Sequence, residues 1–112
     1  MNERTKVYIV NINKTAKKDL REIIKYIAHN NPMNVLNVLK RTEDRIKTLN
    51  KFPERGGYVP ELLNNKIKEY RQLIESPWRI IYKIDNEIVN VLLIIDSRRN
   101  TQDILVERLL SK

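Results

Sequence analysis

The chain has no cysteine, which excludes disulfide staples and thiolate metal sites. Its single histidine, His29, leaves too few ligands for a metal centre of the usual kind. No apolar run approaches the roughly 20 residues a membrane span requires. No apolar signal core follows the opening Met1-Asn-Glu-Arg-Thr-Lys6, so a cytoplasmic location without membrane contact is expected. Glycine is almost absent: the only two are adjacent, at Gly56 and Gly57. There is no internal repeat, no low-complexity stretch and no linker.

What is present reads as one globular domain over residues 1–112, with 41% hydrophobic and 32% charged residues. The charge is lopsided, with 22 Lys+Arg against 14 Asp+Glu for a net +8. That excess favours an anionic partner, either nucleic acid or an acidic protein, although a solvated basic face would give the same sum.

Lys6–Ile12 is a short β-rich run and the expected first strand. Asn13 to Thr15 can start a helix, and Ala16, Leu20, Ile23, Ile24 and Ile27 then recur at helical spacing. Asn30-Asn31-Pro32 ends that helix and opens a second, with Asn31 as N-cap and Pro32 at its first position. The second stripe is Val35, Leu36, Leu39, Ile46 and Leu49, ending near Asn50. So short a break implies an antiparallel helical hairpin. Phe52–Leu62 holds both glycines and two of the four prolines, and reads as a loop.

From Lys68 to Arg99 come three β-rich runs separated by Ser76-Pro77 and Asp85-Asn86, the pattern of antiparallel strands joined by hairpins. Alternation puts Trp78, Ile80, Tyr82 and Ile84 on one face and Arg79, Ile81 and Lys83 on the other. The first face is the better partner for the helices, so Trp78 and Tyr82 are expected in the core and the Arg79 face is expected to stay open. Arg71 and Arg79 have the parity to lie near each other if the first hairpin pairs in register, with Arg98 and Arg99 at the end of the last strand. Arginines gathered in this way suit phosphates or carboxylates. For Arg79 the alternative is a structural ion pair with Glu61 or Asp96. Tyr58 and Tyr70 are of a type that stacks on bases, and His29 at a helix end reads as structural. Asp103–Leu110 is a short final helix with Ile104, Leu105 and Leu109 buried. The order β-α-α-β-β-β-α defines an α+β fold: an amino-terminal strand, a helical hairpin, a three-stranded antiparallel sheet and a short C-terminal helix.

These segments resemble a known family. The helical hairpin, the Phe-Pro…Gly…Val-Pro-Glu-Leu loop, Tyr70-Arg71, Trp78-Arg79-Ile-Ile-Tyr82 and Ile95-Asp-Ser-Arg-Arg99 are similar in order and spacing to the RelE/ParE superfamily of toxins, also called plasmid stabilization proteins. The resemblance spans about Lys6 to Leu110. It implies a growth inhibitor held inactive by a cognate antitoxin, often through a partly disordered acidic segment that a +8 chain suits. A toxin–antitoxin hetero-oligomer is then expected, with no cofactor.

The superfamily divides by target. RelE-like members cut messenger RNA on the ribosome, and ParE-like members inhibit DNA gyrase. Cleavage by the 2′-hydroxyl needs a base, cations for the transition state and an acid. By resemblance Glu61 stands where some nucleases carry the base, and Arg79 and Arg98 match family arginines. Where nuclease members present a tyrosine or a histidine–tyrosine pair, this chain has Asn100-Thr-Gln-Asp-Ile104, without a side chain suited to be the acid. The Val-Pro-Glu-Leu loop and the Asp-Ser-Arg-Arg ending look more like the ParE branch, so inhibition of gyrase leads. Arg71, Arg79, Arg98 and Arg99 are then the residues expected to bind target or antitoxin. A ribosome-dependent endoribonuclease is the alternative, with Glu61, Arg79 and Arg98 as catalytic residues. A degenerate toxin kept for regulation is a third reading.

Overall fold

The computed structural model describes residues 6–110. Strand β1 spans Ile9–Ile12, shorter than the Lys6–Ile12 run. Helix α1 spans Lys14–Asn30. Asn13 caps it, its side chain accepting the Ala16 N–H at 2.9 Å. A 3₁₀ turn, Pro32–Asn34, then leads into helix α2, Val35–Lys47. Asn31 is therefore the C-cap of α1; its side chain caps nothing, contrary to expectation, and Pro32 opens the 3₁₀ turn. A second 3₁₀ turn, Thr48–Asn50, closes the hairpin.

The Phe52–Leu62 stretch is more structured than a loop. It contains a two-residue strand β2, Gly57–Tyr58, and the first residues of a helical turn α3, Pro60–Leu63. Strands β3 (Tyr70–Glu75), β4 (Trp78–Asp85) and β5 (Ile88–Asp96) follow as antiparallel hairpins. The first turn carries a cis peptide at Ser76-Pro77; in the second, Asn86 takes φ 54°, which asparagine tolerates better than most residues. Helix α4, Thr101–Leu105, starts two residues earlier than its apolar pattern because Asn100 caps it, and it continues as a wider turn, Val106–Leu110.

The sheet has five strands in the order β1-β5-β4-β3-β2. β1 lies parallel to β5, and the other pairings are antiparallel. A bulge organises β5: Ile81 pairs with Leu93 and Tyr82 with Val91, so Leu92 has no partner. The extra residue reverses the alternation, which lets Val89, Val91 and Ile94 all face the helical hairpin.

On that face Trp78, Ile80 and Tyr82 pack with Ala16, Ile27, Val38, Ile46 and Leu49. Leu36 is not part of this stripe: it is 78% exposed, and Val38 and Thr42 take the buried positions of α2. Arg41 and Arg45 of α2 clasp Glu75 at the end of β3. The opposite face is also covered. Val59 and Leu62 from the former loop, with Leu105 of α4, bury Tyr70, Ile81, Leu93 and Ile95 in a second cluster. The sheet is thus sandwiched between two layers, and the face expected to be open is a second core.

Candidate functional site

Arg79 lies inside this second layer and is 7% exposed. Its Nη1 and Nη2 donate to the two carboxylate oxygens of Glu61, each at 2.8 Å, and its Nε donates to Gln72 Oε1 at 2.8 Å. The hydroxyl of Thr101, at the start of α4, donates to Glu61 Oε2 at 2.7 Å. One carboxylate thereby ties α3, β4 and α4 together. The guanidinium beside Glu61 lowers its carboxyl from an ordinary 4.5 to about 2, aided by the Thr101 hydroxyl and opposed by burial. A base so firmly ionised, with both oxygens engaged, is poorly matched to taking a proton near pH 7.

Arg71 is elsewhere. β3 pairs with β4 so that Arg71 lies opposite Tyr82 and Ile74 opposite Arg79. Paired residues share a face, so Arg71 and Arg79 are on opposite sides of the sheet. The sequence parity had allowed proximity, and the register rules it out. Arg71 stacks over the Tyr58 ring at 4.6 Å and donates to the Gly56 carbonyl at 2.7 Å. Tyr70, grouped with Tyr58 as a stacking residue, is in the second core.

The Gly56 loop is held from below by Tyr82, whose hydroxyl donates to the Pro53 carbonyl at 2.7 Å and accepts the Gly56 N–H at 3.1 Å. Burial raises the Tyr82 hydroxyl above its ordinary 10, so it stays protonated as a donor. A Cβ on Gly56 would meet the Gln72 carbonyl oxygen and lie 2.7 Å from Tyr82 Oη, which explains a glycine here.

Arg98 and Arg99 are exposed on the turn after β5. Asp96 Oδ1 accepts both the backbone N–H and Nε of Arg98, and Asp96 Oδ2 accepts its Nη2 at 2.6 Å. The same contacts hold the Asp96 carboxyl below the usual carboxylate range. The Arg98 side chain is still 63% exposed, so it is fixed in direction yet open to a partner. Arg99 lines a groove of about 570 Å³ between α1 and α4, with Glu22, Tyr26 and Trp78 among its walls.

One pair in this groove is not evident from sequence reading. Asp19 of α1 accepts both terminal nitrogens of Arg108, at 3.1 and 3.0 Å, and also the Ile94 N–H at 3.0 Å. β1 ends at Ile12, opposite Val91, so the rest of β5 has a bare edge that Asp19 and Arg108 cover. The only signal in the sequence is an aspartate beside two lysines, Lys17 and Lys18. Among the described residues no cluster of histidine and acidic side chains is arranged to hold a metal ion. No described helix is long and apolar enough to cross a membrane.

The domain is a two-faced α+β sandwich with a Glu61–Arg79 tether across its second layer and exposed arginines after the last strand. The sequence matches the ParE toxin of type II toxin–antitoxin systems, parDE, over residues 10–101. The chain belongs to this family. Its fold is similar to a solved chain of the chromosomal ParDE toxin–antitoxin system from P. aeruginosa, with TM-score 0.67 and 17% identity over 80% of this chain and 96% of that one. It is also similar to a chain of the RelBE2 toxin–antitoxin complex from Mycobacterium tuberculosis, with TM-score 0.56 and 21% identity over 85% and 97%. At these identities the likeness speaks for the fold. No curated protein matches the sequence.

Proposed function

We propose that this chain is a growth-inhibiting toxin that acts by binding DNA gyrase and is held inactive by a cognate acidic antitoxin. The observation that carries the choice of target is the state of Glu61. The one carboxylate that stands where a nuclease base would be is a structural strut, with both oxygens occupied and a pKa of about 2. The chain also offers no tyrosine or histidine at Asn100–Ile104 to serve as the acid. What remains accessible is a binding surface: Arg98, aimed by Asp96, with Arg99 beside it. Asp96 takes the Nε and Nη2 of Arg98 and fixes the guanidinium in direction, so its remaining Nη1 edge loses less freedom on meeting a partner's carboxylate. The net charge of +8 supports an acidic antitoxin.

Messenger RNA cleavage is the reading to beat, and it requires Glu61 to leave Arg79. Induction without antitoxin, followed by primer extension on reporter transcripts and a supercoiling assay on purified protein, separates the two. Growth arrest with intact transcripts and blocked supercoiling is expected. Translation-dependent new 5′ ends would overturn the proposal. Arg98→Ala is a better control than Arg79→Ala, because Arg79 is buried in the ion pair and its loss perturbs the fold.

A further inference from the structure

Phe52 is 62% exposed and belongs to neither core cluster. It sits on a short turn, Lys51–Arg55, that the fold holds in place. Phe52 N–H donates to the Thr48 carbonyl at 3.0 Å, and Arg55 N–H donates to that of Phe52 at 3.2 Å. From below, the Tyr82 hydroxyl donates to the Pro53 carbonyl. A ring held in water on a fixed turn leaves a flat π-face for a ligand.

The surroundings are cationic. A groove of about 710 Å³ borders the turn, lined by Lys6, Tyr8, Phe52 and Arg55 with Lys51 and Glu54. Lys6 lies over the Tyr8 ring at 5.7 Å. Beside Glu54 stands Arg71, whose Nη1 is 3.4 Å from the Glu54 carbonyl oxygen and whose guanidinium lies over the Tyr58 ring. Tyr58 is itself 39% exposed. The opposing carboxylates are Glu54 in the wall and Glu87, which contacts Lys6 at 3.7 Å. Among the described residues Lys51, Arg55 and Arg71 form no ion pair.

We infer that this aromatic and basic face, Phe52 and Tyr58 with Lys6, Lys51, Arg55 and Arg71, binds single-stranded nucleic acid. Cations spaced along a groove suit a phosphodiester backbone, and exposed ring faces suit unpaired bases. An acidic peptide would use the cations and leave the rings uncovered. A duplex would keep its base faces stacked inside the helix. Arg71 pairs opposite Tyr82, on the other side of the sheet from Arg79 and its partner Glu61. The face is therefore a binding platform apart from that ion pair, and no bond is made or broken on it. The inference rests on this face alone and does not depend on the gyrase reading.

The probes are oligothymidylate and oligouridylate of about eight nucleotides, labelled at one end and titrated with the intact protein in fluorescence anisotropy at a series of salt concentrations. Binding is expected to strengthen as salt falls, with log K linear in log salt. Phe52→Leu keeps an apolar side chain and removes the ring. It should weaken binding by about fivefold or more without changing the salt slope. Its unfolding midpoint should equal that of wild type, because Phe52 is outside both cores. Lys51→Gln and Arg55→Gln should each reduce the slope by about 0.7, whereas Lys18→Gln, on α1 and outside the groove, should leave it unchanged. Binding of either sugar supports the face, and the tighter of the two names the strand it takes. Binding of neither strand, equal affinity of wild type and Phe52→Leu, an equal loss of slope in Lys18→Gln, or a duplex hairpin bound as tightly as the single strands would overturn the inference. So would an oligoglutamate peptide that competes and shows the same dependence on Phe52. None of these outcomes bears on gyrase inhibition.

Discussion

Replacing Glu61 with glutamine isolates the buried ion pair, because the amide keeps the shape and one acceptor oxygen while removing the charge opposite Arg79. The Arg79 side chain is 8% exposed and that of Glu61 21%. Breaking a fully buried pair by removing one partner costs about 3–5 kcal/mol. Partial solvent access to this carboxylate reduces that, so Glu61→Gln should cost about 2–3 kcal/mol at pH 7. For a domain with total stability of roughly 5–15 kcal/mol this is a large loss. The pH dependence carries the same information. The folded-state pKa is depressed from 4.5 to about 2, so the pair's contribution is complete above pH 4.5 and is lost as pH falls toward 2. Urea titrations at a series of pH values between 7 and 2 give the test. The gap between wild type and variant should be constant from pH 7 to about 5 and should close at lower pH. A gap below about 0.5 kcal/mol at pH 7, or one independent of pH down to 2, would refute the strut.

Further expectations concern the loop, the edge and the cap. Gly56→Ala should destabilise by about 1–3 kcal/mol, read by thermal unfolding, since the added Cβ meets Gln72 and Tyr82; an unchanged midpoint would show that the loop yields freely. Asp19→Ala removes the acceptor for Ile94 N–H and the partner of Arg108. It should cost about 1–3 kcal/mol and speed amide exchange at Ile94 by hydrogen–deuterium NMR. Asn13→Ala should cost about 1 kcal/mol in chemical denaturation through loss of the α1 cap. Arg98→Ala should leave the unfolding midpoint unchanged, because the side chain is solvent-exposed, while growth inhibition on induction falls.

The elements were legible where apolar periodicity was strong. α1, α2, the β3–β5 hairpins and the final helix all follow from spacing, and the Trp78–Ile80–Tyr82 face packs on the helices as alternation implies. Legibility failed where a short segment acts through tertiary contact. Nothing local announces that Val59 and Leu62 bury the Arg79 face, since two apolar residues in a Pro/Gly-rich stretch carry no period. The same gap misplaced Arg71, because side-chain parity on one strand means little until the pairing register is known. Leu92 shows the limit most clearly: a single bulged residue reverses which side chains of β5 face the helices, and it is written only in the pairing with β4. Of the site residues, Glu61 and Arg79 do meet, as one of the two readings of Arg79 allowed. Asp19 and Arg108, 89 positions apart, needed the fold to bring them together.

The target is tested most directly by a supercoiling assay with purified gyrase, relaxed plasmid and increasing amounts of this protein, beside Arg98→Ala. Inhibition is expected to grow with wild-type protein and to weaken in the variant. Undiminished supercoiling at large molar excess of folded wild-type protein, together with new transcript ends on induction in cells, would contradict it and return Glu61 and Arg79 to catalysis.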